Sequence, residues 1–246
     1  MQDAEATVLT STAPDPSLQA ISLEMGGRTF RYYLSKAVNP ATAPMLVIFH
    51  GHGFGGVPTA FQSENWNVVR PMDQFGADSW GSWYLGEGGD YFWLEAFPAI
   101  LQSARDLCGG GGALYCWGSS MGGYASILHG TLNRARAIYA NVPQTRLLGS
   151  TYSETSMKRF FEPIFGESED RRYNDLRSLF KAPRKTTYFL CFNQLESGDY
   201  FAEQGLRFIN HLQATGNKFY LEVRPTDAHG KNHGITETIR LFNKYR

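Results

Sequence analysis

Three cysteines in 246 residues, Cys108, Cys116 and Cys191, are too few and too scattered to frame a disulfide scaffold. No Cys-x-x-Cys or Cys/His spacing suggests structural zinc, so the thiols read as buried side chains in a reducing compartment, with no metal expected. No apolar run approaches the ~20 residues that span a bilayer. The opening segment MQDAEATVLTSTAPDPS carries two early acids and no apolar core, which argues against a signal peptide or an anchor and for a cytoplasmic chain. Net charge is absent as well: Lys plus Arg and Asp plus Glu both total 23, so no long-range field would gather nucleic acid or an anionic membrane.

What the chain has in quantity is apolar residues, at 42%, and glycine, 16 of whose 26 occurrences fall between Gly51 and Gly123. The first implies a packed core, and the length suits one α/β domain. Residues 1–18 read as a flexible arm, being rich in Ser, Thr, Pro and Ala without periodicity. Residues 19–246 read as the domain. QAISLEM and FRYYLSK flank a glycine turn as a hairpin, while MLVIFH, WNVVRPM, ALYCWG, RAIYANV, TTYFLCF and KFYLEV read as further strands. Helical patterns fall on DYFWLEAFPAILQSARDL, SSMGGYASILHGTL, YFAEQGLRFINHLQ and GITETIRLFNKY. Residues 143–183 look helical but irregular, as an insertion over the sheet edge. Strands alternating with helices predict an α/β fold with a mostly parallel sheet covered on both faces.

The most informative junction is Gly118-Ser119-Ser120-Met121-Gly122, which fits G-x-S-x-G between a buried strand and a helix. A nucleophile on a strained strand-to-helix turn needs small residues two positions either side, which marks Ser120. Its hydroxyl is a weak nucleophile without a base, and the base needs an orienting group. His233 and His229 share the loop RPTDAHGKNHG; His233 is preferred because the last helix would fix it, with His229 the alternative. The acid should follow a strand between serine and histidine, where NQLESGDYF offers Asp199, preferred, or Glu196; Asp227 stands further back. Oxyanion donors are expected from the Met121 N–H and from HGHGFGG, with His52 first and Gly53 second. Ten aromatics lie between Phe61 and Phe97, and Trp80, Trp83 and Tyr84 among them are candidates to bind a sugar or aryl group, although core packing explains such rings equally well.

With HG after a strand, GSSMGG at the turn, an acid after a late strand and a histidine before the last helix, the chain resembles the α/β-hydrolase superfamily. GSSMGG together with YANVPQT and SGDYF is similar to the branch that includes bacterial capsule-polysaccharide O-acetyltransferases. The resemblance implies Ser120, Asp199 and His233 as catalytic residues and acyl transfer as the chemistry. The expected activity is carboxyl-ester hydrolysis on a neutral small-molecule or glycan ester, without cofactor. One alternative is O-acetyl transfer to a polysaccharide, which would require an acetyl donor such as acetyl-CoA; another is a non-catalytic carbohydrate-binding protein on the same scaffold.

Overall fold

The computed structural model describes residues 7–12, 18–54, 58–230 and 233–245. Among the described residues nine strands form one sheet in the order β1-β2-β3-β5-β4-β6-β7-β8-β9. β1 (Thr7–Thr12), β2 (Gln19–Met25) and β3 (Arg28–Ser35) are antiparallel, and β3 joins β5 (Asn67–Met72) antiparallel. From β5 onward the pairings through β4 (Met45–Phe49), β6 (Leu114–Ser119), β7 (Ala137–Asn141), β8 (Thr187–Asn193) and β9 (Lys218–Arg224) are all parallel.

The two faces of the parallel strands explain the unbroken apolar runs. Met45, Val47 and Phe49 face one core with α1 (Trp93–Cys108) and α2 (Met121–Leu132), while Leu46 and Ile48 face the other, where Phe242 of α5 (Ile235–Lys244) packs. Strands buried on both sides have no polar face to alternate with. Among the described residues no helix is long and apolar enough to cross a membrane, and all three cysteines are buried and unpaired.

One boundary differs from the sequence expectation. The segment read as an arm contains β1, because an edge strand is held by backbone hydrogen bonds to β2 that need no apolar periodicity; residues 1–6 and 13–17 of it lie outside the described residues. Between β7 and β8 lies the insertion. It holds a π-helical turn at Ser153–Met157, then α3 (Lys158–Phe165) and a short 3-10 turn at Leu176–Leu179. α3 sets Phe160 against His52 and Trp80 and Phe161 against Trp83, on the loops that follow β4 and β5.

The glycine tracts also find their places. Gly109 ends α1 in the left-handed conformation, its N–H donating to the carbonyls of Arg105 and Asp106. Gly88 and Gly89 donate to the carbonyls of Pro163 and Ile164, so the 86–89 tract docks α3.

Candidate active site

Ser120 sits at the β6–α2 junction with φ 56° and ψ −119°, a region that L-residues avoid at a cost of roughly 1–3 kcal/mol. The Ser120 N–H donates to Asn141 O at 2.9 Å, and its carbonyl accepts from Tyr124 N–H at 3.0 Å, which holds the turn. The flanking glycines are required by close approach. A Cβ on Gly118 would lie 2.0 Å from Gly122 O, and one on Gly122 would lie 2.3 Å from Phe49 O. Both contacts are with backbone, so no side-chain rotation relieves them.

The histidine on Ser120 is His229, not His233. His229 Nε2 lies 2.9 Å from Ser120 Oγ, and its Nδ1 lies 2.5 Å from Glu196 Oε1. The Glu196 side chain is only 6% exposed, so the carboxylate is shielded beside the ring it orients. Two backbone bonds, Gln194 N–H to Arg224 O at 2.8 Å and Leu195 N–H to Thr226 O at 3.1 Å, stitch the acid's loop to the histidine's loop. Asn193 Nδ2 donates to Ala228 O next to His229, adding a third tie.

His233 is carried away by the helix that was expected to steady it over Ser120. Its Nε2 lies 2.5 Å from Glu222 Oε2 on β9, its Nδ1 3.5 Å from Glu237 on α5, and its ring meets Tyr139 edge-on. Both ring nitrogens face carboxylates on the α5 side of the sheet. Asp199 is exposed, in the left-handed conformation (φ 52°), and among the described residues its carboxylate has no hydrogen-bond partner; its carbonyl accepts from Glu203 N–H. Asp227 is likewise exposed.

For the oxyanion donors the backbone separates the two alternatives. Gly53 N–H is committed to Trp80 O at 2.9 Å. No hydrogen bond among the described residues uses the N–H of His52 or of Met121. The loop is braced from below by His50, whose Nδ1–H donates to Gly51 O at 2.8 Å while its Nε2 accepts from Asp73 N–H at 2.8 Å. Burial pulls the His50 pKa down to about 4, which keeps it neutral in that arrangement. Asp73, wholly buried beneath the same loop, accepts from the backbone of Ser82, Tyr84 and Phe75, yet desolvation still pushes its carboxyl up to about 6.

Two of the three aromatic residues expected to bind substrate are packed into the core. Trp83 and Tyr84 are fully buried. Trp83 Nε1 donates to Gln144, and the Tyr84 hydroxyl donates to Pro71 O while accepting from His50 N–H. Trp80 is 44% exposed but lies against Phe160 and His52, outside the cavity at Ser120. That cavity measures about 610 Å³; Ser120 and His229 open into it, and Phe54, Trp117, Tyr152 and Met157 contribute apolar wall. Gln144 went unnoticed in the sequence: fully buried, it places its amide nitrogen 2.9 Å from Ser120 Oγ. The one available hint was its place in YANVPQT, directly after a buried strand.

A strained serine, a histidine and a shielded carboxylate in hydrogen-bonded series beside two available backbone amides form a set suited to nucleophilic acyl transfer. Among solved structures the chain is similar to Pyrococcus horikoshii acylaminoacyl peptidase (TM-score 0.66, 16% identity, 87% of this chain and 37% of that one). It is also similar to the capsule O-acetyltransferase of Neisseria meningitidis serogroup A (TM-score 0.67, 19% identity, 96% and 97%) and to a thermophilic esterase of Thermogutta terrifontis (TM-score 0.67, 13% identity, 94% and 91%). It therefore spans little more than a third of the peptidase, but nearly all of the transferase and the esterase. No curated protein sequence matches it. The signature of the prolyl oligopeptidase family matches residues 110–244, more than half of the chain and the part that contains Ser120, Glu196 and His229. The chain belongs to the prolyl oligopeptidase family, within the α/β-hydrolase superfamily.

Proposed function

We propose that this protein is a serine esterase that works through a covalent acyl-serine. The observation that carries the reading is the continuous chain from Ser120 Oγ to His229 to Glu196, at 2.9 and 2.5 Å, opening into an apolar cavity. Ser120 attacks the ester carbonyl as its proton passes to His229 Nε2, which later gives it to the leaving alcohol. Glu196 accepts from His229 Nδ1–H, holding the tautomer that leaves Nε2 free to take the proton. The N–H groups of Met121 and His52 receive the developing oxyanion, and water then releases the acid. The apolar lining favours an uncharged acyl group larger than acetyl over a charged one.

The test is fluorophosphonate labelling with turnover of a p-nitrophenyl ester series from acetate to octanoate, alongside aminoacyl p-nitroanilides. Wild type should label and hydrolyse esters best, and Ser120→Ala should do neither. Ester turnover by Ser120→Ala at the wild-type rate overturns the scheme, and preference for the anilides makes the chain a peptidase. A second reading, transfer of the acyl group to a glycan hydroxyl, is favoured by the near-complete mutual coverage with the meningococcal transferase, a mutant of which has been solved in complex with CoA. Acetylated glycan exceeding free acetate in the presence of acetyl-CoA would establish it.

A further inference from the structure

Ser120 Oγ is held from two sides, and the triad accounts for only one of them. On the other, Gln144 Nε2 lies 2.9 Å from Oγ and 3.0 Å from the hydroxyl of Tyr200. The orientation of this amide is dictated by its neighbours. Trp83 Nε1–H can only donate, and it lies 3.1 Å from Gln144 Oε1, so the oxygen must face the indole and the NH2 must face Ser120. Tyr200 commits its own proton to Val142 O at 2.7 Å, leaving its oxygen to accept from the second N–H of the same amide. Trp83, Gln144 and Tyr200 are all fully buried, so water does not compete for these bonds.

Every link then donates in one direction. The Trp83 N–H donates to Gln144, the Gln144 N–H to Ser120 Oγ, the Ser120 O–H to His229 Nε2 and the His229 Nδ1–H to Glu196. A serine hydroxyl has a single hydrogen and rotates to suit its surroundings. With an N–H pressing on one side of Oγ, its hydrogen is left to point at the base.

We infer that Gln144 is a further catalytic donor, which holds Oγ as the leaving group when the acyl-enzyme breaks down; this rests on the serine-esterase reading above. During acylation the Oγ–carbon bond forms, the O–H proton moves to His229, and Oγ becomes an ester oxygen, a weaker acceptor than the hydroxyl was. In deacylation water bonds to the acyl carbon and its proton goes to His229. The carbon–Oγ bond then breaks, the electron pair settles on Oγ, and His229 returns the proton there. The Gln144 N–H gains strength as that charge arrives, so it favours the breakdown step over the ground-state ester.

The experiment is stopped-flow and steady-state kinetics of Gln144→Met on a p-nitrophenyl ester. Loss of the donor should slow deacylation about 10- to 100-fold, less than removal of a full oxyanion-hole donor. The acyl-enzyme should accumulate as a burst, and kcat and KM should fall together while kcat/KM stays within about threefold of wild type. Trp83→Phe, which does not touch Ser120 but frees the amide to turn, should give the same split in smaller measure and carries the test if Gln144→Met does not fold. Unchanged kinetics, or kcat and kcat/KM falling by one common factor without a burst, overturns the inference while leaving the esterase standing. Wild type that neither labels nor turns over removes the esterase reading and this inference with it.

Discussion

Replacing Glu196 by glutamine separates the two acids that follow β8. In the native site Glu196 Oε1 accepts from His229 Nδ1–H at 2.5 Å, with the carboxylate side chain 6% exposed. The glutamine amide is nearly the same size, so the packing survives. If its NH2 turns to the ring, Nδ1 must become an acceptor and the ring proton moves to Nε2, which then faces Ser120 Oγ at 2.9 Å and can no longer take a proton from it. If its oxygen turns to the ring instead, the tautomer survives but the charge that steadies the imidazolium is gone. A wrong tautomer in a triad is associated with a loss of about 10⁴ in kcat, or about 5 kcal/mol of transition-state stabilisation at ~1.4 kcal/mol per tenfold. The assay is kcat on a p-nitrophenyl ester for Glu196→Gln, Asp199→Asn and His233→Asn side by side. Asp199→Asn should match wild type within about twofold, because the native carboxylate is exposed and asparagine suits a left-handed backbone. His233→Asn should keep kcat, because the ring lies on Tyr139 and Glu222, away from Ser120. A loss of 10²-fold or more in Asp199→Asn with Glu196→Gln near wild type would refute the assignment.

Two further predictions concern stability. His50 and His129 are both held neutral by burial, with pKa values pulled down to about 4, so each contributes stability that is full above the unfolded value and is lost as pH falls through the folded one. Each amounts to about 3 kcal/mol between pH ~6.5 and ~4. Asp73, raised to about 6, works in the opposite sense: it destabilises the fold as pH rises through that value and gives back about 3 kcal/mol on acidification. Urea unfolding should therefore show a net loss of about 3 kcal/mol from pH 7 to pH 4 from these three groups, and a flat or rising profile would contradict it. Gly122→Ala places a methyl 2.3 Å from Phe49 O, which should lower the melting temperature by about 5–10 °C or abolish soluble protein; Gly111→Ala, whose nearest neighbour would be 3.5 Å away, should melt within about 2 °C of wild type. Equal melting temperatures for the two variants would show that the turn has slack the structure does not contain.

The features legible in the sequence are those fixed over a few neighbouring residues. The buried strands announce themselves as short apolar runs, and the Ser120 turn is a local steric problem whose solution, Gly118 and Gly122, is written beside it. β1 escaped because its pairing is carried by backbone groups that composition does not encode. Gln144 escaped because its role depends on Trp83 and Tyr200, 61 and 56 positions away.

The choice between histidines shows where local reasoning inverts. Attachment to the last helix was the ground for preferring His233, on the principle that a catalytic base must be held still. Yet a helix returning along the face of the sheet carries its first residues away from the strand ends where Ser120 lies, and His233 duly rests on Tyr139 and Glu222. β8 and β9 run parallel with Asn193 opposite Arg224, so Glu196 and His229 lie only three and five residues beyond a common edge. Asp199 and His233 lie six and nine beyond it. In a parallel sheet, overhang past the strand end decides which residues can gather above it. The rigidity His229 needs comes from other sources: Glu196 at its ring, Asn193 on Ala228, and the two backbone bonds between the loops. Counting from the paired ends of the strands, rather than back from the nearest helix, favours Glu196 over Asp199 and His229 over His233.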